Sequence, residues 1–160
     1  MEIPKRKKIR LSDFDYSRNG SYFITICVVK REWMLWENVG ATCGRPQFDG
    51  TLSEYGTIID TEIQRICTIY PDVSVAVYSI MPDHIHMILT IAREGCGRPQ
   101  VAPTISRIIQ QFKGTVTKKI GFCLWQKSFY DRIIRSEPEY REIWQYIQEN
   151  PTKWEEEFFL

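Results

Sequence analysis

The sequence predicts an α+β fold, a four-stranded antiparallel sheet with helices on one face, and three observations carry that expectation. Four runs rich in β-branched and aromatic residues, "SYFITICVV" (21–29), "VSVAVYSI" (73–80), "HIHMILTI" (84–91) and "SFYDRIIRS" (128–136), read as strands. Two runs with apolar residues at helical spacing lie between the first and second strands and between the third and fourth. Only Met81, Pro82 and Asp83 separate the second and third strands, which suits a hairpin. The order strand, helix, strand, strand, helix, strand is the split βαβ, ferredoxin-like arrangement (βαββαβ), in which both helices cover one sheet face and leave the other available. A last helix is an addition to that core.

Each element has its own justification. The first strand is followed by a loop or hairpin excursion over 31–52, broken by Gly40, Gly44, Pro46 and Gly50. Thr51 and Glu54 have capping-box spacing, and Tyr55, Ile58, Ile59, Ile63 and Ile66 recur at helical intervals until Pro71. After the hairpin, 92–103 is a second Gly/Pro loop. The next helix carries Ile105, Ile108, Ile109, Phe112, Val116 and Ile120 on one stripe, with Arg107, Gln111 and Lys118 facing away. The last helix, 138–150, is expected to stop at Pro151. "CGRPQ" occurs twice, at 43–47 and 96–100, in both loops; two short copies make no solenoid and read as loop insertions, with Arg45 and Arg98 as weak phosphate contacts.

The bulk composition fits one domain spanning 1–160. Of its residues 43% are hydrophobic and 26% charged, as in an ordinary globular protein. The net charge of +1 excludes a polycation, but "PKRKKIR" (4–10) makes residues 1–14 a basic arm suited to phosphates. Five cysteines without C-x-x-C spacing point to free thiols in a reducing, cytoplasmic setting rather than to a disulfide framework or zinc-thiolate site. No apolar run reaches the roughly 18 residues that a membrane span needs.

Both histidines of the chain, His84 and His86, lie in "MPDHIHMIL". Alternate strand residues share a face, so His84, His86, Ile88 and Thr90 point one way. Ile85, Met87, Leu89 and Ile91 form the apolar set that belongs against the helices, which puts the histidines on the uncovered face. Two imidazoles about 7 Å apart along a strand can tilt toward one ion, although an H-x-H pair is also a common structural arrangement. Two ligands do not hold a catalytic ion firmly, so a third donor is needed.

The last helix offers one. In "EPEYREIWQYIQENP", Tyr140, Ile143, Trp144 and Ile147 form the core-facing stripe. Tyr146 lies about 100° off its centre, and Asn150, four residues on, projects on the same side. Boundary packing for Tyr146 and a helix end for Asn150 are the plain alternatives.

"MPDHIHMIL", "LWQKSFYDRIIR" and "YREIWQYIQENPTKW", in this order and spacing, resemble the REP-associated tyrosine transposases, a single-domain, single-tyrosine branch of the HUH (His-hydrophobic-His) endonucleases. The resemblance covers about 15–155. It implies the ferredoxin-like fold with a catalytic tyrosine on a C-terminal helix. By position, His84 and His86 match the HUH pair, Tyr146 the nucleophile, and Asn150 the polar residue that completes the metal site. Arg132 stands where the family often has a histidine and receives no catalytic role.

The resemblance implies metal-assisted transesterification of single-stranded DNA near palindromic hairpins, through a covalent 5′-phosphotyrosine. Mg²⁺ or Mn²⁺ is the cation it favours; by ligand type alone zinc also fits. A phenol ordinarily titrates at about 10, so the cation would supply the main assistance. Lys5, Arg6, Lys7, Lys8 and Arg10 of the arm, with Lys113, Lys118 and Lys119, are the DNA-binding candidates. The expected partner is single-stranded or hairpin DNA, with no membrane, for a monomer or a homodimer. The competing readings are a hairpin-DNA-binding protein that no longer cuts, a small-substrate phosphodiesterase, which would want a third histidine, and a purely structural domain.

Overall fold

The structure, a computed structural model, describes residues 15, 16, 18–29, 35–37, 40–42, 45–47, 51–94 and 103–159; the side chains of 40–42, 45–47 and 152–159 are left aside. The basic arm and the second "CGRPQ" copy lie outside the described residues. Of the first copy only the backbone of 45–47 is described.

The elements are β1 (Gly20–Cys27), β2 (Gly40–Thr42), β3 (Arg45–Gln47), α1 (Glu54–Ile69), β4 (Val73–Ile80), β5 (His84–Ile91), α2 (Ile105–Ile120), β6 (Tyr130–Ile134) and α3 (Glu137–Phe159). The main sheet has the order β4-β5-β1-β6 with every pairing antiparallel, which is the ferredoxin-like order expected from the sequence. β2 and β3 pair as a small hairpin inside the 31–52 excursion.

Strand alternation sorts the sheet into two unequal cores. Tyr22, Ile24 and Ile26 of β1 and Ile85, Met87, Leu89 and Ile91 of β5 face α1 and α2, packing on Ile59, Ile63, Ile108, Ile109 and Phe112. On the other face a much smaller cluster joins Ile88 to Ile143 and Ile147 of α3, flanked by Phe23, Val77, Tyr140 and Trp144. A bulge in β4 between Val75 and Val77 reverses the alternation: Val73 and Val75 face the helix pair, Val77 faces α3, and Tyr78 and Ile80 return to the first core.

Glu62 of α1 is nearly inaccessible and sits between Arg65, at 3.1 Å, and Lys119 of α2. Burial opposes its ionisation, yet the hydrogen bonds and charges of Lys119 and Arg65 hold its carboxyl below the usual range. The pair thus ties the two covering helices together.

Several boundaries differ from the sequence expectation: β1 ends at Cys27 rather than at 29, Val28 forming only an isolated bridge to Trp125, and three others have a local cause. The cap of α1 is Ser53, whose hydroxyl accepts from the Gly56 amide at 3.2 Å, not Thr51. The Thr51 carbonyl is bonded to the Glu37 amide and Leu52 bridges Trp36, so that stretch is still extended. Gly56 follows because a Cβ there would collide with the Leu35 carbonyl oxygen. β6 is shorter than 128–136, since the Ser128 carbonyl accepts from Lys113 and Ser136 caps α3 through the Glu139 amide. Finally, α3 runs through Pro151 to Phe159 instead of stopping there. Proline forfeits one bond, to the Ile147 carbonyl, and Lys153 to Glu157 are mostly good helix formers, so the helix resumes.

Candidate active site

β5 brings its two histidines together at the start of the strand, immediately after the Pro82–Asp83 turn. His86 pairs across the sheet with Thr25 of β1 and Ser79 of β4, and His84 pairs with Cys27. The two imidazoles meet with their Nε2 atoms 3.0 Å apart and ring planes inclined at 74°. Each opposite nitrogen has its own partner: His84 Nδ1 lies 2.6 Å from Asp83 Oδ1, and His86 Nδ1 lies 2.8 Å from Thr25 Oγ1. The rings are therefore held from behind while their Nε2 atoms converge in front.

α3 crosses the same face. Ile147 is fully buried against Ile88, and this fixes the rotation of the helix. Its neighbour Tyr146 consequently stands at the rim of the buried stripe, 44% exposed, where the sequence spacing put it. The Tyr146 ring packs 5.5 Å from that of His86 and edge-on to Phe23 at 6.2 Å. Phe23 itself stacks on His86 at 5.4 Å. Asn150 follows one turn later on the same side of α3, half-buried. The structure thus gathers His84, His86 and Tyr146 in one place, with Asn150 on the adjoining turn.

The donor set fits a divalent cation. Two ligands at about 2.1 Å and at right angles would stand about 3.0 Å apart, as in octahedral coordination; tetrahedral ligands would stand about 3.4 Å apart. At 3.0 Å the two Nε2 atoms are close enough together to be ligands of a single cation. Among the described residues no three His, Cys, Asp or Glu side chains form a metal-binding group, so a third ligand from the described site would be of another type. The amide of Asn150 is such a donor.

Burial, and secondarily the nearby His84, push the titration of His86 down to about 3, with Asp83 opposing. A neutral imidazole is what a metal ligand requires. The unfolded chain takes up this proton below about 6.5 while the folded protein refuses it down to about 3, so the stability contribution is complete above 6.5 and is lost as pH falls through that window. Thermal melts should therefore show acid destabilisation between pH 6.5 and 3, amounting to at most about 5 kcal/mol. His86→Gln should flatten that stretch of the profile; an unchanged slope in the variant would contradict the assignment.

The lysine candidates sit elsewhere. α2 lies on the opposite face of the sheet from the histidines, and Lys113 donates to the carbonyls of Gln126 and Ser128 at 2.6 and 3.3 Å. Lys119 is taken by Glu62, and Lys118 is exposed on the helix surface. Arg132 pairs with Glu139 at 2.8 Å, beside a cleft of about 640 Å³ at the start of α3 that none of the four site residues lines.

Sequence reasoning missed Asp83, Thr25 and Phe23. Asp83 was within reach, since it adjoins His84 in "PDHIH". Thr25 and Phe23 lie some 60 residues from His86 in the chain, and only the β1–β5 register reveals them.

No family model matches the chain. An uncharacterized protein of Haemophilus influenzae is 30% identical over 174 aligned positions, covering 97% of this chain and 93% of the relative. A second H. influenzae protein, named for the REP-associated tyrosine transposases, is 23% identical over 147 positions, covering 87% of this chain and 74% of its own. Among solved structures, a REP-associated tyrosine transposase bound to a REP hairpin superposes with a TM-score of 0.63 at 22% identity, over 89% of this chain and 74% of that one. A candidate transposase from Deinococcus radiodurans superposes at 0.50 with 18% identity, over 87% and 95%. These two likenesses establish the shared fold. Among the described residues no helix is long and apolar enough to cross a membrane.

Proposed function

We propose that this chain, which is similar to a REP-associated tyrosine transposase in sequence and in fold, is a metal-dependent single-stranded DNA endonuclease and strand transferase acting beside palindromic hairpins. The observation that most supports this reading is the convergence of the two histidine Nε2 atoms, 3.0 Å apart, with the Tyr146 ring 5.5 Å from His86. The hairpin as ligand is suggested by the relative solved with one. A DNA substrate and the free thiols of Cys27, Cys67 and Cys123 suit the cytoplasm.

His84, His86 and Asn150 would hold Mg²⁺ or Mn²⁺. All three are neutral donors, so a cation bound there keeps its charge for polarising the scissile phosphate and stabilising the departing oxygen. Tyr146 supplies the nucleophile. Its phenol oxygen bonds to phosphorus as the bond from phosphorus to the 3′ oxygen breaks. The phenolic proton passes to solvent and the 3′ oxygen takes one up, leaving a 5′-phosphotyrosine and a free 3′-hydroxyl. One phosphodiester replaces another, so the reverse attack rejoins DNA without a nucleotide cofactor. The exposure of Tyr146 lets a strand reach it from solvent, while Phe23 and His86 support its ring.

The test is a denaturing gel of purified protein with labelled single-stranded hairpin DNA from sequence flanking its own gene. A protein–DNA adduct is expected with Mn²⁺ or Mg²⁺ and should vanish in EDTA. Hairpin binding with no adduct under any metal would support the runner-up, a hairpin-binding protein of the same fold without the chemistry.

A further inference from the structure

We infer that Tyr130, on the edge strand β6, is a stacking platform for a base of the single strand close to the scissile phosphate, and that Arg132 beside it holds a phosphate of that strand. The inference rests on the nuclease reading above and deepens it by naming a second place where the same substrate is held.

Strand register positions both side chains. Thr25 of β1 pairs with His86 on one side and with Tyr130 on the other, so the three residues form one row across the sheet and share a face. Phe23 likewise pairs with Ile88 and with Arg132. Packing agrees: Ile134 joins the α3 cluster, whereas Phe129 and Ile133 pack on the first core, so Tyr130, Arg132 and Ile134 face the α3 side. With neighbouring strands about 4.8 Å apart, Tyr130 stands about 10 Å from His86 along its row.

α3 leaves this ground open. It leans chiefly on β4 and β5, so the β1–β6 half of the same face continues from the site to the sheet edge without a covering helix. Tyr130 is 55% exposed there. Among the described residues Tyr130 and Tyr146 are the only two exposed aromatic side chains, and they lie on this one face, on either side of Phe23 and Thr25. A base can cover the ring of Tyr130 while the hydroxyl stays in water, so stacking strands no polar group. The Arg132 side chain is 69% exposed, although it donates to Glu139 at 2.8 Å. Its guanidinium has five N–H donors, enough to keep that carboxylate and hold a phosphate oxygen as well. A ring for the base and a cation for the phosphate, two residues apart on one strand, match the two things that single-stranded DNA offers.

The experiment measures affinity by anisotropy in EDTA, with the full chain and two hairpin oligonucleotides from sequence flanking its own gene. One keeps its single-stranded flanks and the other is trimmed to the paired stem and loop. Tyr130→Val should bind the flanked hairpin about tenfold more weakly than wild type, and Tyr130→Phe should match wild type. All three should bind the trimmed hairpin equally. Valine forms strands as readily as tyrosine, so a role confined to the stability of β6 would produce no such selectivity. An abasic site moved along the flanks should find one position that costs wild type the same tenfold and costs Tyr130→Val nothing further. Arg132→Gln should reduce the log–log salt slope for the flanked hairpin by about 0.7, the share of one phosphate. Wild-type affinity in Tyr130→Val, while wild type still forms the adduct with metal, would overturn the stacking role and leave the nuclease reading standing. An unchanged slope in Arg132→Gln would overturn the phosphate contact. No wild-type affinity for either hairpin, and no adduct with metal, would overturn this inference and the nuclease reading together.

Discussion

Tyr146→Phe is expected to abolish the covalent protein–DNA adduct while leaving hairpin affinity within about twofold of wild type. The substitution removes one oxygen atom. Its ring can keep the edge contacts with His86 and Phe23, and the side chain is 44% exposed, so no buried polar partner is stranded. Stability should therefore change by less than about 0.5 kcal/mol. The chemistry loses its only proposed nucleophile, and a drop in cleavage of about 10³-fold or more follows when such a group is deleted. A gel of wild type and variant beside each other, with binding measured on the same hairpin by anisotropy, separates the two effects. Residual adduct in the variant would transfer the nucleophile to another residue.

The second large effect concerns the helix that carries the tyrosine. Ile147→Ala should detach α3 from the sheet without unfolding the βαββαβ core. The first core is large and lies wholly between the sheet and α1/α2, whereas α3 is held by a cluster of three buried side chains, Ile88, Ile143 and Ile147. Ile147 is completely inaccessible, and truncating such an isoleucine costs about 2–4 kcal/mol through lost burial and the cavity left behind. That is a large share of what docks α3 and a small share of what holds α1 and α2. Hydrogen exchange should speed up at α3 amides while those of β1, β5 and α2 stay protected, and adduct formation should fall with α3 occupancy. Uniform loss of protection would show that the two cores unfold as one. Because Tyr146 adjoins Ile147, the same contact that docks the helix also aims the nucleophile.

Local patterning was enough to place the framework. Period-two runs, period-3.6 stripes and a three-residue turn placed β1, β4, β5 and β6 with α1 and α2 in the order that the structure shows, and β4 and β5 have the expected ends. The histidine face and the core-facing stripe of α3 were also legible, because side-chain direction within one element depends only on local geometry. What failed locally was punctuation. Ser53 replaced Thr51 as the cap because a backbone bond from Glu37 keeps Thr51 extended, and α3 continued past Pro151 because one missing donor does not outweigh the helix formers beyond it.

The assembly of the site depends on long-range strand pairing. Which strand lies beside β5, and in which register, sets Thr25 behind His86 and Phe23 beneath it, and the bulge in β4 sets which of its residues meet α3. Tertiary packing also decided that Lys113 and Lys119, which read in the sequence as free cations, are bound to backbone carbonyls and to Glu62 on the far face of the sheet. The physical reason is the same in each case. Periodicity reports the direction of a side chain relative to its own backbone, but a partner some 60 residues away is chosen by strand pairing and packing, which no local pattern encodes.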